Sequence, residues 1–326
     1  MNKRHAVLLV NLGTPDDPSE TSIRNYLRQF LSDPRVVDLP RWLWLPILKL
    51  IILRVRPAKL VEKYELIWGK YDGPIRNITS ALAKRVQHLL PDLSIQSAMT
   101  YGGPSISDAC NQLADIDHIT VLPLFAQYAG ATTGAVTDAF EQANVSRQFD
   151  SELIGDYHDN ARYIAALTES IRKHKMFRDQ SPFIVFSYHG IPESQSRNDP
   201  RYRYQCNRTS ELVAAQLGLG ASQWRTTFQS RFGPEALPWL RPYTDETMKG
   251  LPAEGVRDVL VICPGFAVDC LETIEEIKVL NREIFIAAGG NAFGYVKALN
   301  ASWAHAEVIA DVIERTMASR RAQDNS

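Results

Sequence analysis

Short apolar, β-branched runs recur along the chain, and each ends in a glycine- or proline-marked turn that opens a helical pattern. His5–Leu12 runs into Gly13-Thr14-Pro15, and Phe183–Ser187 runs into Tyr188-His189-Gly190-Ile191-Pro192. Val256–Ile262, which ends at Cys263-Pro264-Gly265, echoes Ile119–Phe125, within the strand His118–Phe125, in the same way. A run that is apolar on both faces suits a strand covered by helices on both sides, and strands alternating with helices build parallel sheets. The second series repeats the first in type, so the chain reads as α/β, with two similar halves, each a mainly parallel sheet flanked by helices, and a cleft between them. The boundary is placed near residue 150, giving halves 1–150 and 151–326. Ser94–Tyr101 and Arg147–Tyr157 supply further strands. Helical spacing starts at Ser19 and covers Leu60–Trp68, Ile78–Leu89, Ser105–Leu113, Ala135–Ala143, Asn160–His174 and Ser302–Met317. A turn is expected around Tyr71-Asp72-Gly73-Pro74, and the polar tail Ala318–Ser326 is expected to fray. In such sheets ligands bind beyond the carboxyl ends of the strands, which brings His189, Glu272 and the Tyr128 loop towards one cleft.

Composition removes several classes. A net charge of −1 offers no basic footprint for nucleic acid. Four cysteines, at 110, 206, 263 and 270, form no C-x-x-C pair and argue against a zinc ribbon or a disulfide framework. The opening MNKRHAVLLVNLG has basic residues before an apolar run, but that run is short and lacks a small-residue cleavage pattern, so it reads as the first strand of a cytoplasmic protein. There is no GxSxG, P-loop lysine motif or HExxH, and Gly289–Gly294 does not fit the dinucleotide fingerprint.

The stretch Cys263–Ile277, CPGFAVDCLETIEEI, carries the strongest chemical signal. Asp269 stands where a helix N-cap belongs, with Glu272 three residues on, as in a capping box. In a helix 269–277, Asp269, Glu272 and Glu276 share one face. Like charges at that spacing repel, so the row suits a metal or a moving proton; the alternative is a solvated acidic face with a good cap. His189, in a turn at a strand end, suits a base or a ligand, or a hydrogen-bonded turn residue. One imidazole and one carboxylate make a weak site for an ion such as Fe²⁺, which fits a protein that hands its metal on. Arg41–Lys59 holds five basic residues, no acidic one and two tryptophans, and is too short and too interrupted (Pro46, Lys49) to span a bilayer. It suits a membrane interface or an apolar ligand, or else a buried helix–turn segment with basic ends. The Ser230–Pro234 run presents Arg231 to an anion or is a plain turn.

Taken together, LLVNLGTP (Leu8–Pro15), TYGGPSI (Thr100–Ile106), the Tyr128–Gly134 loop, SYHGIP (Ser187–Pro192), FQSRFG (Phe228–Gly233), CPGFAVDCLETIEEI and NREIFIAAGG (Asn281–Gly290) make nearly the whole chain resemble ferrochelatase. The resemblance implies two flavodoxin-like halves around a porphyrin cleft and insertion of Fe²⁺ into protoporphyrin IX, the last step of haem synthesis. It implies His189 and Glu272 as the iron-site residues, on opposite faces of the macrocycle, with Asp269 and Glu276 in an acidic row that moves metal or protons. It implies Leu12 on the porphyrin face, Tyr101 and Tyr128 among the substrate contacts, and Trp42–Leu45 as a hydrophobic lip. The partners implied are porphyrin and Fe²⁺ as substrates, with peripheral membrane contact at the lip and a monomer or homodimer. No tightly bound cofactor is expected, and no iron–sulfur cluster, because the four cysteines lack its spacing. The chain departs from the family pattern at Thr100 (often Arg), Ala126 (usually Pro), Gly73-Pro74-Ile75, Tyr295-Val296-Lys297 and an enlarged Gly233–Trp239 loop. These departures bear on porphyrin affinity and keep two alternatives open: a divergent porphyrin- or haem-binding paralogue, and a chelatase for another metal or tetrapyrrole.

Overall fold

The computed structural model describes residues 4–68, 73–113, 116–232 and 237–324. Tyr71 and Asp72 of the expected turn, and residues 233–236 of the loop before Trp239, lie outside the described residues. The chain divides into two compact units, one formed by Met1–Asp156 with Ala301–Ser326 and the other by Tyr157–Asn300. Each contains a four-stranded parallel sheet.

In the first unit the strands are β1 (His5–Gly13), β2 (Ser94–Tyr101), β3 (His118–Pro123) and β4 (Asp150–Leu153), in the spatial order β2-β1-β3-β4. Ala6–Val10 of β1 are fully buried, as both-face burial requires of a central strand. The helices are α1 (Glu20–Ser32), α2 (Arg41–Ile47), α3 (Leu53–Trp68), α4 (Pro74–Leu89), α5 (Ile106–Gln112) and α6 (Ala135–Asn144). Ser19 caps α1 by accepting from the Ser22 N–H, and Ser105 with Asp108 forms a complete capping box on α5. The basic, apolar segment 41–59 is helical almost throughout, with a π-helical turn at Leu48–Ile52 between α2 and α3. Pro57 has no N–H for the carbonyl of Leu53 four residues back, and Arg24 Nε supplies a substitute donor at 2.9 Å.

In the second unit the order is β6-β5-β7-β8, built from β5 (Phe183–His189), β6 (Trp224–Gln229), β7 (Asp258–Ile262) and β8 (Ala292–Val296). Its α-helices are α7 (Ala161–Lys173), α8 (Lys175–Gln180), α9 (Glu193–Asn198), α10 (Arg201–Leu217), α11 (Thr244–Gly250) and α12 (Arg282–Ala287). The acidic stretch after β7 becomes a π-helical run, Glu272–Asn281, leading into α12.

The chain then returns to the first unit. Helix α13 (Trp303–Asp324) packs on α4, and Arg85 lies over the Trp303 ring at 5.4 Å. The tail expected to fray is therefore helical through Asp324. Arg320 explains this: its guanidinium reaches the His118 ring, where β3 begins, and the carboxylate of Asp150, where β4 begins. The His118 ring meets His5 edge to face at 4.5 Å.

Two consequences are measurable. Gly13 has φ +113°, and a Cβ there would sit 1.8 Å from the Tyr101 carbonyl oxygen, so β1 and β2 end too close together for any side chain. Gly13→Ala lowers stability by at least about 1–3 kcal/mol in urea unfolding. Burial, reinforced by His118, Arg320 and Arg321 and opposed by Asp150, lowers the His5 pKa from 6.5 to about 4. Between those values the unfolded chain binds the proton and the folded one does not, so stability falls as pH drops through this window. Melting temperature declines from pH 6.5 to 4, and His5→Gln reduces the slope; half-buried His174, shifted the same way by desolvation, retains part of it.

Candidate functional site

The carboxyl ends of the strands carry the candidate residues of each unit. In the second unit His189 is the last residue of β5 and Gln229 the last of β6, and the Cys263-Pro264-Gly265 turn follows β7. His189 is half-buried, with its ring near Trp239 (6.5 Å) and Phe266 (6.4 Å), while Tyr202 donates its hydroxyl to the His189 carbonyl at 2.7 Å. Nδ1 lies 2.7 Å from the Gly190 carbonyl oxygen. A carbonyl only accepts, so Nδ1 bears the proton and Nε2 keeps its lone pair for a proton or a metal. Gly190 is required here for space: its N–H donates to the Gln229 carbonyl at 2.8 Å, and a Cβ would stand 2.9 Å from that oxygen.

Glu276, on the π-helical run, is held by the end of β6. The Ser230 N–H donates to its Oε1 at 2.7 Å, the Ser230 hydroxyl donates to Oε2, and Gln229 Nε2 approaches Oε2 at 3.4 Å. The same Gln229 amide donates to the Glu272 carbonyl at 2.9 Å. Burial pushes the Glu276 carboxyl above the usual range; Ser230 and the field of His189 oppose the rise, and Glu272 adds to it. His189 and Glu272 thus each lie within electrostatic reach of Glu276. Among the described residues there is no group of three or more His, Cys, Asp or Glu side chains arranged to hold a metal.

Asp269 has a different set of partners. It does not form the expected capping box: the helical run starts after it without a side-chain cap. Its Oδ1 accepts from the Tyr295 hydroxyl (2.6 Å), the Ala298 N–H (3.2 Å) and the Thr273 hydroxyl (3.3 Å), and its Oδ2 accepts from Asn300 Nδ2 (2.8 Å). Long-range donors outcompete the local cap, and they tie β8 and the following loop to the start of the acidic run. Arg231 is likewise not offered to an anion. It pairs with Asp245 (3.0 Å) and Glu246 (3.1 Å) and stacks on Tyr243, whose ring Arg241 also covers.

In the first unit Leu12 is half-buried at the end of β1, its N–H bonded to the Asn11 side chain at 2.8 Å. Tyr101 ends β2, buried against Phe30, with its hydroxyl donating to Asp33 at 2.8 Å. Burial and that carboxylate push its phenol far up, which keeps it neutral. Tyr128 is half-buried in the loop after β3. Thr100 donates to the Asn11 carbonyl, and Ala126 is buried. The two tryptophans of the 41–59 segment separate. Trp42 is 80% exposed, whereas Trp44 is buried and donates from its indole to the Leu31 carbonyl at 2.7 Å. Leu45 is half-buried, and Leu43, Leu50, Ile51 and Val55 continue the exposed apolar surface. No described helix is long and apolar enough to cross a membrane.

Sequence reasoning assigned no role to Gln229, to Tyr295 (noted only within a departure from the family pattern) or to Asn300. The available signal was the residue type, an amide or phenol at or just beyond a strand end, but their partners lie dozens of positions away. Ser230 was weighed only as the neighbour of Arg231.

Comparison with known proteins agrees with this architecture. A family model described as Ferrochelatase matches residues 4–317. The ferrochelatase of Alcanivorax borkumensis is 44% identical over 96% of this chain and 94% of its own. That of Aeromonas hydrophila is 44% identical over 98% and 100%, and that of Haemophilus influenzae 45% identical over 94% and 96%. Among solved structures, SirB from Bacillus subtilis with Fe³⁺ superposes with a TM-score of 0.57 at 12% identity, covering 98% of each chain. CbiX, the terminal enzyme for biosynthesis of sirohaem in denitrifying bacteria, gives 0.54 at 15% identity over 95% of this chain and 98% of its own. At those identities the likeness is one of fold.

The Asp269 cluster makes its own prediction. Asp269→Ala leaves the Tyr295 hydroxyl and the Asn300 amide without their acceptor and lowers unfolding stability by about 2–3 kcal/mol, as expected for hydrogen bonds to a charged group, measured by urea titration.

Proposed function

The chain belongs to the ferrochelatase family, and from that membership we propose that it is a lyase forming protohaem from protoporphyrin IX and Fe²⁺. The reaction exchanges two pyrrole N–H protons for one metal ion: porphyrin plus Fe²⁺ gives haem plus two H⁺. A site for it needs a neutral base beside the macrocycle, a path of negative charge for the ion, and apolar surface for the ring.

The observation that carries the reading is the state of His189. With Nδ1 committed to the Gly190 carbonyl, Nε2 presents a lone pair from a half-buried ring. That atom accepts a pyrrole proton or contacts iron, and either use requires this tautomer. In this reading His189 and Glu272 contact the iron, a weak pair that releases it to the macrocycle. Glu276 continues the acidic row behind them, and Asp269 fixes the start of the helical run that carries both. Leu12, Tyr101, Tyr128, Trp42 and Leu45 serve the apolar macrocycle. A ring bent by its binding contacts exposes a nitrogen lone pair to the ion, which converts binding energy into rate. Trp42 and its exposed apolar neighbours support a peripheral contact of a cytoplasmic protein with the inner face of a membrane. Iron is a substrate in this scheme, and no resident cofactor takes part.

An anaerobic assay tests the reading. Purified protein is mixed with protoporphyrin IX and Fe²⁺, with coproporphyrin III in parallel, while porphyrin fluorescence and haem absorption are followed. Conversion of protoporphyrin is the expected result; conversion of coproporphyrin alone overturns the substrate, and binding without conversion of either overturns the enzyme. His189→Ala reduces insertion by at least about a hundredfold, the low end for loss of a positioned base, with porphyrin binding retained. Glu272→Gln also slows insertion by removing charge from the metal path.

A further inference from the structure

Ser230 is a non-glycine residue with φ +62°. A side chain in the left-handed region costs free energy, and such positions persist where the surroundings gain from them. Here the gain is visible. In this conformation the N–H and the hydroxyl of one residue both reach the same carboxylate, the N–H at Oε1 of Glu276 and the hydroxyl at Oε2.

The clamp rests on a buried frame. Gln229, 3% exposed, donates to the Glu272 carbonyl and approaches Glu276 Oε2, while its own side-chain oxygen accepts from the Ser187 hydroxyl at 2.7 Å. Ser187 is 2.9 Å from the Thr244 hydroxyl, which donates to Thr227, also at 2.9 Å. The end of β6 therefore grips the π-helical run at two places, the backbone of Glu272 and the side chain of Glu276. Asn281 Nδ2 adds a bond to the Glu276 carbonyl at 2.8 Å, steadying the same residue from the far end of the run. A half-buried carboxylate on a widened helix would otherwise have several rotamers to choose from; with both oxygens taken it has one.

We propose that Ser230 is a positioning residue for metal insertion, acting through Glu276 by locking its carboxylate against the end of β6. The inference rests on the reading of this protein as an iron-inserting enzyme with Glu276 in its acidic row. It adds a residue whose backbone conformation, and not its intrinsic reactivity, serves the reaction.

The test uses the full chain and a double-mutant cycle. Ser230→Gly keeps the N–H, accommodates φ +62° and removes only the hydroxyl; relief of the backbone strain offsets much of the lost hydrogen bond, so it folds, with unfolding in urea checking that it does. Its kcat for Fe²⁺ insertion falls about tenfold, the rate equivalent of one hydrogen bond to a charged group, while KM for porphyrin stays unchanged. Glu276→Gln slows insertion as well, and the double variant is no slower than Glu276→Gln alone, because Ser230 has no other route to the reaction. Ser230→Asn, which tolerates the left-handed backbone and restores a side-chain donor, recovers part of the rate. Wild-type kcat in Ser230→Gly, or effects that multiply in the double variant, overturn the positioning role while the enzyme reading stands. Absence of insertion by the wild-type protein overturns the enzyme reading, and the positioning role falls with it.

Discussion

A strand buried on both faces of a parallel sheet has room for few polar side chains, because each must find a partner inside a dry, close-packed layer. That constraint decides where this protein keeps its chemistry. The centres of β1 and β5 are apolar: Ala6–Val10 in one, Ile184–Phe186 in the other, all fully buried. Polar side chains gather where the strands stop. At the carboxyl ends stand Asn11, Tyr101, His189 and Gln229; at the amino ends of the first sheet stand His5, His118 and Asp150. The two ends are used differently. The amino end is closed by Arg320, whereas at the carboxyl end of the second sheet His189 commits Nδ1 to a backbone carbonyl and keeps the lone pair of Nε2.

The second sheet shows how half-buried titratable groups are held in place. His189 is oriented by backbone, through Gly190 and the bond from Tyr202. Glu276 is oriented by Ser230, and Asp269 is absorbed into fastening β8 and its loop. Of the three carboxylates in the acidic row, one is thus committed to holding the fold together, one is clamped, and only the backbone of Glu272 is gripped by Gln229. A row of like charges stays together in a globular protein when its members have such separate attachments.

Most strands and helix starts could be read from the sequence because their causes are local. Apolar runs stopped by Gly or Pro marked the strands, and Ser19, Ser105 and Asn160 stood at the helix starts as capping residues. His189 and the acidic stretch were legible as chemistry from residue type and from their place after a strand. What could not be read depends on distant partners or on a change of hydrogen-bond register. Asp269 fits the local signature of a cap, yet its donors Tyr295 and Asn300 lie 26 and 31 residues on. The π-helical geometry at Leu48–Ile52 and Glu272–Asn281 leaves no compositional mark, since the same residues serve an α-helix. Near Leu48–Ile52, the missing N–H of Pro57 is made good by Arg24, a residue from another helix. The unit that α13 joins was equally hidden, because its apolar stripe specifies that it packs and not on what.

That last helix has a consequence for synthesis. The second unit is one unbroken length of chain, residues 157–300, whereas the first is assembled from both ends of the sequence. Domains fold largely as they emerge from the ribosome. The second unit can close as soon as its own residues are out, but the older first unit must wait for α13 before the apolar face of α4 is covered and Arg320 reaches His118 and Asp150. The portion made first is thus the portion finished last, and through that interval a growing chain carries an incomplete layer that chaperones or neighbouring chains can find.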